Sequence, residues 1–364
     1  MNVLHINEQR GWRGGEQQAS YLVRGLAQRG HNVIIAGRPG SEFMRSNHGL
    51  DSLEKVTAPF LSEAGLYTAA RVAGAVRRYD VDILHAHTSH AHTVACIARA
   101  LARRGRVVVS RRVDFTPRGN PFNRWKYAMP DAIVAVSSYI ARVMREFGIE
   151  NSRLAVVHSG TDASRFSVPP VPRAQLGMPD GVPLLGCVAA LVGHKDHATL
   201  LNAMPLILNK IPELRLLLIG EGNLRPQIEA QIEKLGIQKS VKLLGHRSDV
   251  PNILNALDAF VLSSKEEGFG GAALEAMACN LPVVSTDAGG MSDTVVNEKT
   301  GLLVPVQNSP ALAEAVVRVL TDRGLVQKLR QNLPAQVQRF SIDAMIEGNL
   351  KVYQSLLDNT SDTR

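Results

Sequence analysis

Short apolar runs bounded by turn residues alternate along the chain with longer stretches whose apolar residues recur at helical spacing. The first run is Val3-Leu4-His5-Ile6, and others follow at 31–36, 81–86, 107–110 and 132–136. Runs this short and continuous predict strands buried on both faces, as in a parallel sheet. Between the first two, Glu16 opens a helix in which Ala19, Leu22, Val23 and Leu26 keep one face, and Gly30 ends it. Residues 93–103 form a second helix, and Ser138 is a fair N-cap for a third through Phe147. The pattern resumes with strands at 184–190, 214–219, 241–244, 259–262 and 282–285. Helices are predicted at 198–208, up to Leu235, from Ser248 to Leu257, from about Gly271, and over 311–337 and 342–357. Strand–helix alternation in both halves predicts α/β domains built on parallel sheets.

Five prolines lie between Ser167 and Pro183, which predicts a linker there. The expected division is a domain at 1–166, a linker at 167–183, a domain at 184–340 and a C-terminal helix at 341–364. No apolar run is long enough to span a bilayer, and the start, MNVLHINEQRGWRGG, is not a signal peptide. Cys96, Cys187 and Cys279 lie far apart in mainly apolar surroundings and read as reduced core residues of a cytosolic protein.

The net charge is +8, and its location matters more than its size. Between Ala91 and Pro130 stand nine basic residues, Arg99, Arg103, Arg104, Arg106, Arg111, Arg112, Arg118, Arg124 and Lys126, against the single acid Asp114. Elsewhere acids and bases balance, so this segment holds the whole excess and suggests an anionic partner. It has few aromatics for stacking (Phe115, Phe122, Trp125, Tyr127) and no readout motif, which argues against nucleic acid.

Candidate chemistry concentrates in Ser263 to Gly290, where two strand-to-helix junctions fall in one short segment. In an open parallel sheet both loops lie at the carboxyl ends of their strands, where ligands bind. Glycine lets a ligand approach N–H groups at a helix start closely, which suits phosphate. Glu267 in the loop and Glu275 in the helix are poor phosphate ligands but good acceptors for ribose or sugar hydroxyls. The segment reads as a site for a nucleotide carrying a sugar. The glycine turn at Gly11, Gly14 and Gly15 lacks the dinucleotide spacing, and no acid ends the second strand, which argues against a nicotinamide enzyme. The run from His85 to His92 holds four histidines, but no Cys, Asp or Glu stands beside them to complete a zinc site.

The string Glu267-Gly268-Phe269-Gly270, Glu275-Ala276-Met277-Ala278, Leu281-Pro282-Val283-Val284 and Gly289-Gly290 resembles the donor-site signature of the retaining glycosyltransferases of family 4. The resemblance extends over most of the chain. Gly14-Gly15-Glu16 is similar to the family's amino-terminal glycine loop, and Lys195 to its donor-phosphate lysine. Asp82, His85 and His87 match an Asp-x-x-His-x-His strand end, with His87 toward the cleft and His85 in the core. Residues 158–162 resemble the family's Asn-Gly-Val-Asp turn with Ser159 in place of Asn. Two further positions depart from the pattern. Arg111 or Arg112 stands where many members carry a cleft histidine, and Ala190 stands where many carry an arginine.

The resemblance implies a GT-B fold, two Rossmann-like domains facing across a cleft with the last helix crossing back to the first. It implies sugar transfer, with retention of configuration, from a UDP-, GDP- or ADP-linked donor to a glycan or lipid-linked acceptor, in lipopolysaccharide or polysaccharide synthesis. Glu267, His87 and Arg112 are the implied catalytic residues, and Gly14, Gly15, Lys195, Glu267, Gly268, Phe269, Gly270 and Glu275 the implied donor ligands. No cofactor or metal is expected, because Lys195 and loop N–H groups would neutralise the leaving diphosphate. Arg103, Arg104, Arg118 and Arg124 are the expected acceptor or membrane face of a cytoplasmic enzyme working peripherally at the inner face of the cytoplasmic membrane. The alternatives are a GT-B sugar-nucleotide epimerase or hydrolase, and a nucleic-acid-binding protein.

Overall fold

The structure, a computed structural model, describes residues 1–47, 53–60, 65–113 and 115–358. Two compact units divide it, one of Met1–Gly160 with the segment from Ile342, the other of Thr161–Ser341.

The apolar runs of the first unit become β1 (Asn2–Asn7), β2 (Asn32–Gly37), β3 (Leu53–Thr57), β4 (Ile83–Ala86), β5 (Arg106–Arg111), β6 (Ala132–Ala135) and β7 (Leu154–Val156). Its helices are α1 (Gly14–Gln28), α2 (Glu42–Ser46), α3 (Leu66–Arg78), α4 (Ser89–Ala102), α5 (Pro121–Ala128) and α6 (Ser138–Glu146). The strands form one sheet in the order β3-β2-β1-β4-β5-β6-β7, and every pairing is parallel. Alternate residues of each strand serve opposite cores. Leu4 and Ile6 pack with Val72, Val76 and Val94, while Val3 packs with Leu22, Val23 and Leu26. That double burial is why the strands read as unbroken apolar runs.

In the second unit lie β8 (Leu184–Val188), α7 (His197–Leu208), β9 (Arg215–Ile219), α8 (Arg225–Lys234), β10 (Val241–Gly245), α9 (Val250–Asn255), β11 (Ala259–Leu262), α10 (Gly271–Ala278), β12 (Val283–Thr286), α11 (Met291–Thr294), β13 (Leu302–Val304), α12 (Ser309–Thr321) and α13 (Arg323–Arg339). The sheet order is β10-β9-β8-β11-β12-β13, again parallel throughout. Each sheet therefore has the doubly wound order, with a switch point between β1 and β4 in one and β8 and β11 in the other.

The final helix, α14 (Ile342–Asp358), belongs to the first unit and fills its core with Met345, Ile346 and Tyr353. It lies against α1 at Gly25, where a Cβ would meet Ile346 Cδ1 at 2.0 Å.

Several elements differ from the pattern reading. The proline-rich stretch 167–183 is not a free linker but part of the second unit. Leu176 is buried there, and Arg173 donates to the Ala256 and Val182 carbonyls and pairs with Asp258 at 3.0 Å. The helix expected over 311–337 is two helices, because Asp322 ends α12 and caps α13 by accepting from Leu325 N. Helix α4 starts at Ser89, since the Thr88 hydroxyl caps it by accepting from Ala91 N, so His90 and His92 are helical. Ser137, not Ser138, caps α6. No described helix is long and apolar enough to cross a membrane.

Candidate active site

In the second unit the loops after β8 and β11 meet at the switch point. The Ser263 hydroxyl donates to the Lys195 and Asp196 carbonyls, and Lys265 N donates to His194 O. Pinned in this way, Lys195 Nζ lies 2.5 Å from Glu267 Oε2. Both side chains are largely shielded, at 19% and 14% exposure, so the pair is stronger than an exposed one. The loop after β12 fixes Glu267 from behind. Gly290 N donates to Glu267 O at 2.7 Å, and a Cβ on Gly289, at φ 55°, would lie 2.3 Å from that oxygen. Gly289 of the sequence motif thus has a structural cause, the close passage of one loop over another.

Gly270, at φ 86°, is the N-cap of α10 and offers no side-chain cap, which leaves the first N–H groups of the helix for another acceptor. The Phe269 ring is buried edge-on against Phe340 at 5.2 Å, and Thr294 Oγ1 donates to its carbonyl. The predicted donor ligand Phe269 is therefore a loop anchor whose side chain is spent on the core. Glu275 is half-buried in α10, and burial raises its pKa, with Arg165 opposing. Ala190 leaves Lys195 without a neighbouring arginine on the β8 strand end.

In the first unit, Gly14 and Gly15 open α1, with Glu16 accepting from Arg13 N at 3.0 Å. No atom lies within 4 Å of a Cβ built on Gly14, so packing does not demand glycine there. His87 follows β4 and donates its backbone N–H to Ile6 O. Arg112 Nη1 reaches His87 Nδ1 at 3.4 Å, and Arg111 turns away to the Tyr127 hydroxyl at 2.8 Å. Of the two arginines, Arg112 is the one beside His87.

A guanidinium only donates, so His87 Nδ1 is the accepting nitrogen and the ring proton sits on Nε2. That proton goes to His5 Nδ1, 2.9 Å away on β1, and leaves His5 protonated at Nε2, a buried atom with no partner in the structure. His85 is bonded at both ring nitrogens, to the Tyr353 hydroxyl at 2.5 Å and to Ser110 Oγ at 2.8 Å. Burial holds His5 down to about 3, with Arg112 adding to the effect, and holds His85 and His87 well below the ordinary range. Burial also lowers Arg112 to about 10, with Glu16 and Tyr353 opposing.

Ring nitrogens of His5, His85 and His87 all lie within 4.8 Å of one another, a clustering that the His85 to His92 run does not reveal. Parallel pairing of β1 with β4 sets His5 beside His85. Their lone pairs are taken up in hydrogen bonds, and the Arg112 cation stands beside them, so the donor set suits a neutral stack and not a cation.

The basic segment does not form one face. Arg103 and Arg104 precede β5 and lie at the amino ends of the strands, where Arg104 pairs with Asp80 at 3.4 Å and Asp82 at 3.9 Å. Arg118 and Arg124 follow β5 at the opposite end, Arg118 just before α5 and Arg124 within it. One strand of this length separates the two groups by roughly 16 Å. The correction has a simple cause, because a strand carries neighbouring stretches of sequence to opposite edges of its sheet. Asp114 lies outside the described residues.

Comparison with known proteins agrees with this geometry. Residues 12–165 match the model of Glycosyltransferase Family 4, and residues 171–336 match Glycosyl transferases group 1. The lipopolysaccharide core biosynthesis glycosyltransferase LpsE of Rhizobium meliloti is 27% identical over 94% of this chain and 96% of its own. A D-inositol 3-phosphate glycosyltransferase of Xylanimonas cellulosilytica is 30% identical over 77% of this chain and 67% of its own. Among solved structures, Anabaena HepE in complex with UDP superposes with a TM-score of 0.85 at 22% identity, covering 98% of this chain and 100% of that one. The chain belongs to glycosyltransferase family 4, with a fold of the GT-B type, and it is a glycosyltransferase.

Proposed function

We propose that the second unit binds a nucleotide-sugar donor through Lys195, the N–H groups at Gly270 and Gly271, Glu267 and Glu275, and that the sugar passes with retention to a glycan or lipid-linked acceptor of the cell envelope. The observation that carries this reading is the Lys195–Glu267 pair held at the β8/β11 switch point beside the uncapped start of α10. A cation, free N–H donors and a carboxylate stand where a diphosphate and a sugar hydroxyl need them. Gly14, free of packing demands, leaves room at the start of α1, Gly15 lies against the Arg112 side chain, and His87 and Arg112 serve the reacting groups. The relatives named for lipopolysaccharide core synthesis support an envelope acceptor, and the HepE complex with UDP-glucose supports a uridine donor.

Lys195 and the helix N–H groups supply the positive charge that the leaving diphosphate requires, so the reaction needs no metal. The enzyme works in the cytoplasm, and of its basic residues those after β5, Arg118 and Arg124, would bring it to an anionic membrane surface. Incubation with UDP-, GDP- and ADP-sugars and a lipopolysaccharide-core or lipid-linked oligosaccharide tests the reading by nucleotide release and by NMR of the new linkage. Release with one donor, undiminished by chelator, and an unchanged anomeric configuration are expected. An inverted product would sink the mechanism, and transfer lost to chelator would sink the metal-free scheme.

A further inference from the structure

Three imidazoles share one face of the first sheet. His85 and His87 stand two positions apart on one stretch of chain, and β1 pairs with β4 so that His5 lies beside His85. The His5 and His87 rings are inclined by only 14°, with centroids 5.2 Å apart and bonded nitrogens 2.9 Å apart. The centroids are thus separated by the bond length plus nearly both ring radii, so the rings meet edge to edge. A hydrogen bond in that arrangement is close to linear, its favoured geometry.

Only one placement of protons fits this row. Were His5 to donate from Nδ1, His87 would face donors at both nitrogens, His5 on one side and the Arg112 guanidinium on the other. A neutral imidazole has one acceptor, so His87 must carry its proton on Nε2 and accept at Nδ1. His5 is left with a buried Nε2–H that has no partner among the described residues. Leaving a buried donor unmet costs more than a typical hydrogen bond contributes. Packing gives no reason for it, because Ile35 lies beside His5 in register and Val3 shares its face, both in an apolar core where a branched aliphatic side chain would leave nothing unmet. What His5 serves is His87.

The other side of His87 is held loosely. Arg112 Nη1 stands 3.4 Å from Nδ1 and 3.4 Å from the His87 carbonyl, both beyond the range of a firm bond, so an incoming hydroxyl can take the guanidinium's place at Nδ1. A neutral partner at Nε2 also sets the chemistry. A carboxylate there would raise the basicity of His87, whereas an imidazole fixes the tautomer and adds no charge. Burial keeps both rings neutral, so His87 accepts a hydrogen bond without taking the proton. We propose that His5 is a positioning residue for the transfer reaction, locking His87 in the Nε2–H tautomer so that Nδ1 stays the acceptor for a substrate hydroxyl. This role rests on the glycosyl-transfer reading and fixes the ring state of one residue of that site.

NMR of the full chain carrying nitrogen-15-labelled histidine reads the tautomer, because protonated and unprotonated ring nitrogens resonate far apart, and His87→Gln assigns the signals. His87 protonated at Nε2 is expected in the wild type, and protonation at Nδ1 overturns the proposal without recourse to any variant at position 5. His5→Leu removes the acceptor. His87 should then populate both tautomers, and kcat should fall about tenfold or more while UDP affinity holds. His5→Asn, whose Oδ1 reaches near the place of Nδ1, should restore the Nε2–H form and most of the turnover, and it carries the test where His5→Leu does not fold. A histidine that serves packing alone would lower the melting temperature of these variants and leave the His87 tautomer unmoved. That result, or wild-type turnover in His5→Leu, overturns the proposal. Sugar transfer by the wild type is read separately: transfer with the tautomer unmoved removes the role of His5 and leaves the transferase, whereas a wild type that transfers sugar from no donor removes both.

Discussion

The Tyr353 hydroxyl of α14 meets His85 Nδ1 at 2.5 Å, across 268 residues of sequence. Through His85, whose ring stacks on His87 at 4.2 Å between centroids, the last helix touches the side chain that Arg112 orients. Tyr353 is fully buried, and burial keeps its hydroxyl protonated. Tyr353→Phe keeps the ring's packing but leaves an imidazole nitrogen unmet in the core. The expected loss is about 1–3 kcal/mol of stability, read by urea denaturation. A fall in turnover at unchanged nucleotide affinity should accompany it, because His87 loses its support. Wild-type turnover in the variant would show that α14 fills the core and does no more.

The Lys195–Glu267 pair makes a less obvious prediction. Without donor, each group neutralises the other, so a diphosphate must compete with Glu267 for the ammonium. Lys195→Ala should weaken UDP binding about tenfold or more, or about 1.4 kcal/mol. Glu267→Gln releases Lys195 and should bind bare UDP as tightly as wild type or more tightly, while turnover of the nucleotide sugar falls. Calorimetry with UDP and a steady-state assay separate the two. Weaker UDP binding in Glu267→Gln would mean that the carboxylate holds the nucleotide itself.

Much of this was legible in the residues, for physical reasons that also mark where reading fails. Strands buried on both faces announce themselves as apolar runs, so β1, β5 and β11 stand close to their predicted places. Helix α3 does not announce itself, because its buried face is Thr68, Ala69, Val72, Ala73, Ala75 and Val76, mostly small residues with weak contrast to their neighbours. Strand β3 is only half-buried at the sheet edge and gives no continuous run. The Lys195–Glu267 pair joins two stretches that a motif reading had already marked. His5 and Tyr353 carried no such mark, since their partners are set by strand order and by the return of the last helix. The basic segment misled in the opposite sense, because adjacency in sequence is not adjacency in space when a strand intervenes.

Glu275 ties the donor site to pH. Burial raises its pKa, so it takes a proton at higher pH than an exposed glutamate does. A ribose hydroxyl donates best to the carboxylate, and the protonated acid loses that charge-assisted bond. UDP affinity should therefore begin to decline at a higher pH than an exposed glutamate would set, and that part of the decline should vanish in Glu275→Gln, which binds weakly throughout. A pH series of calorimetric titrations on both proteins checks this, with an identical pH profile in the variant as the outcome that rejects the ribose role.

The buried histidines make the first unit sensitive to acid in a calculable direction. Unfolded, each takes a proton near its ordinary value of 6.5, whereas in the fold His5 and His92 hold off until about 3. Between those limits the unfolded chain binds more protons, so stability is fully present above pH 6.5 and is lost as the pH falls. Each such histidine contributes a slope on the order of 1.4 kcal/mol per pH unit over that window. His5 and His92 both belong to the first unit, where His85 and His87 are lowered too, while the second has His197, lowered to about 4. Acid should therefore unfold the first unit ahead of the second. Hydrogen exchange at pH 7 and pH 5, followed on β1 and β4 amides against β8 and β11 amides, reads the two units separately. His92→Gln, if it folds, should flatten the pH dependence of the first unit and leave the second unchanged. Equal loss of protection in both units on acidification would assign the effect to net charge instead.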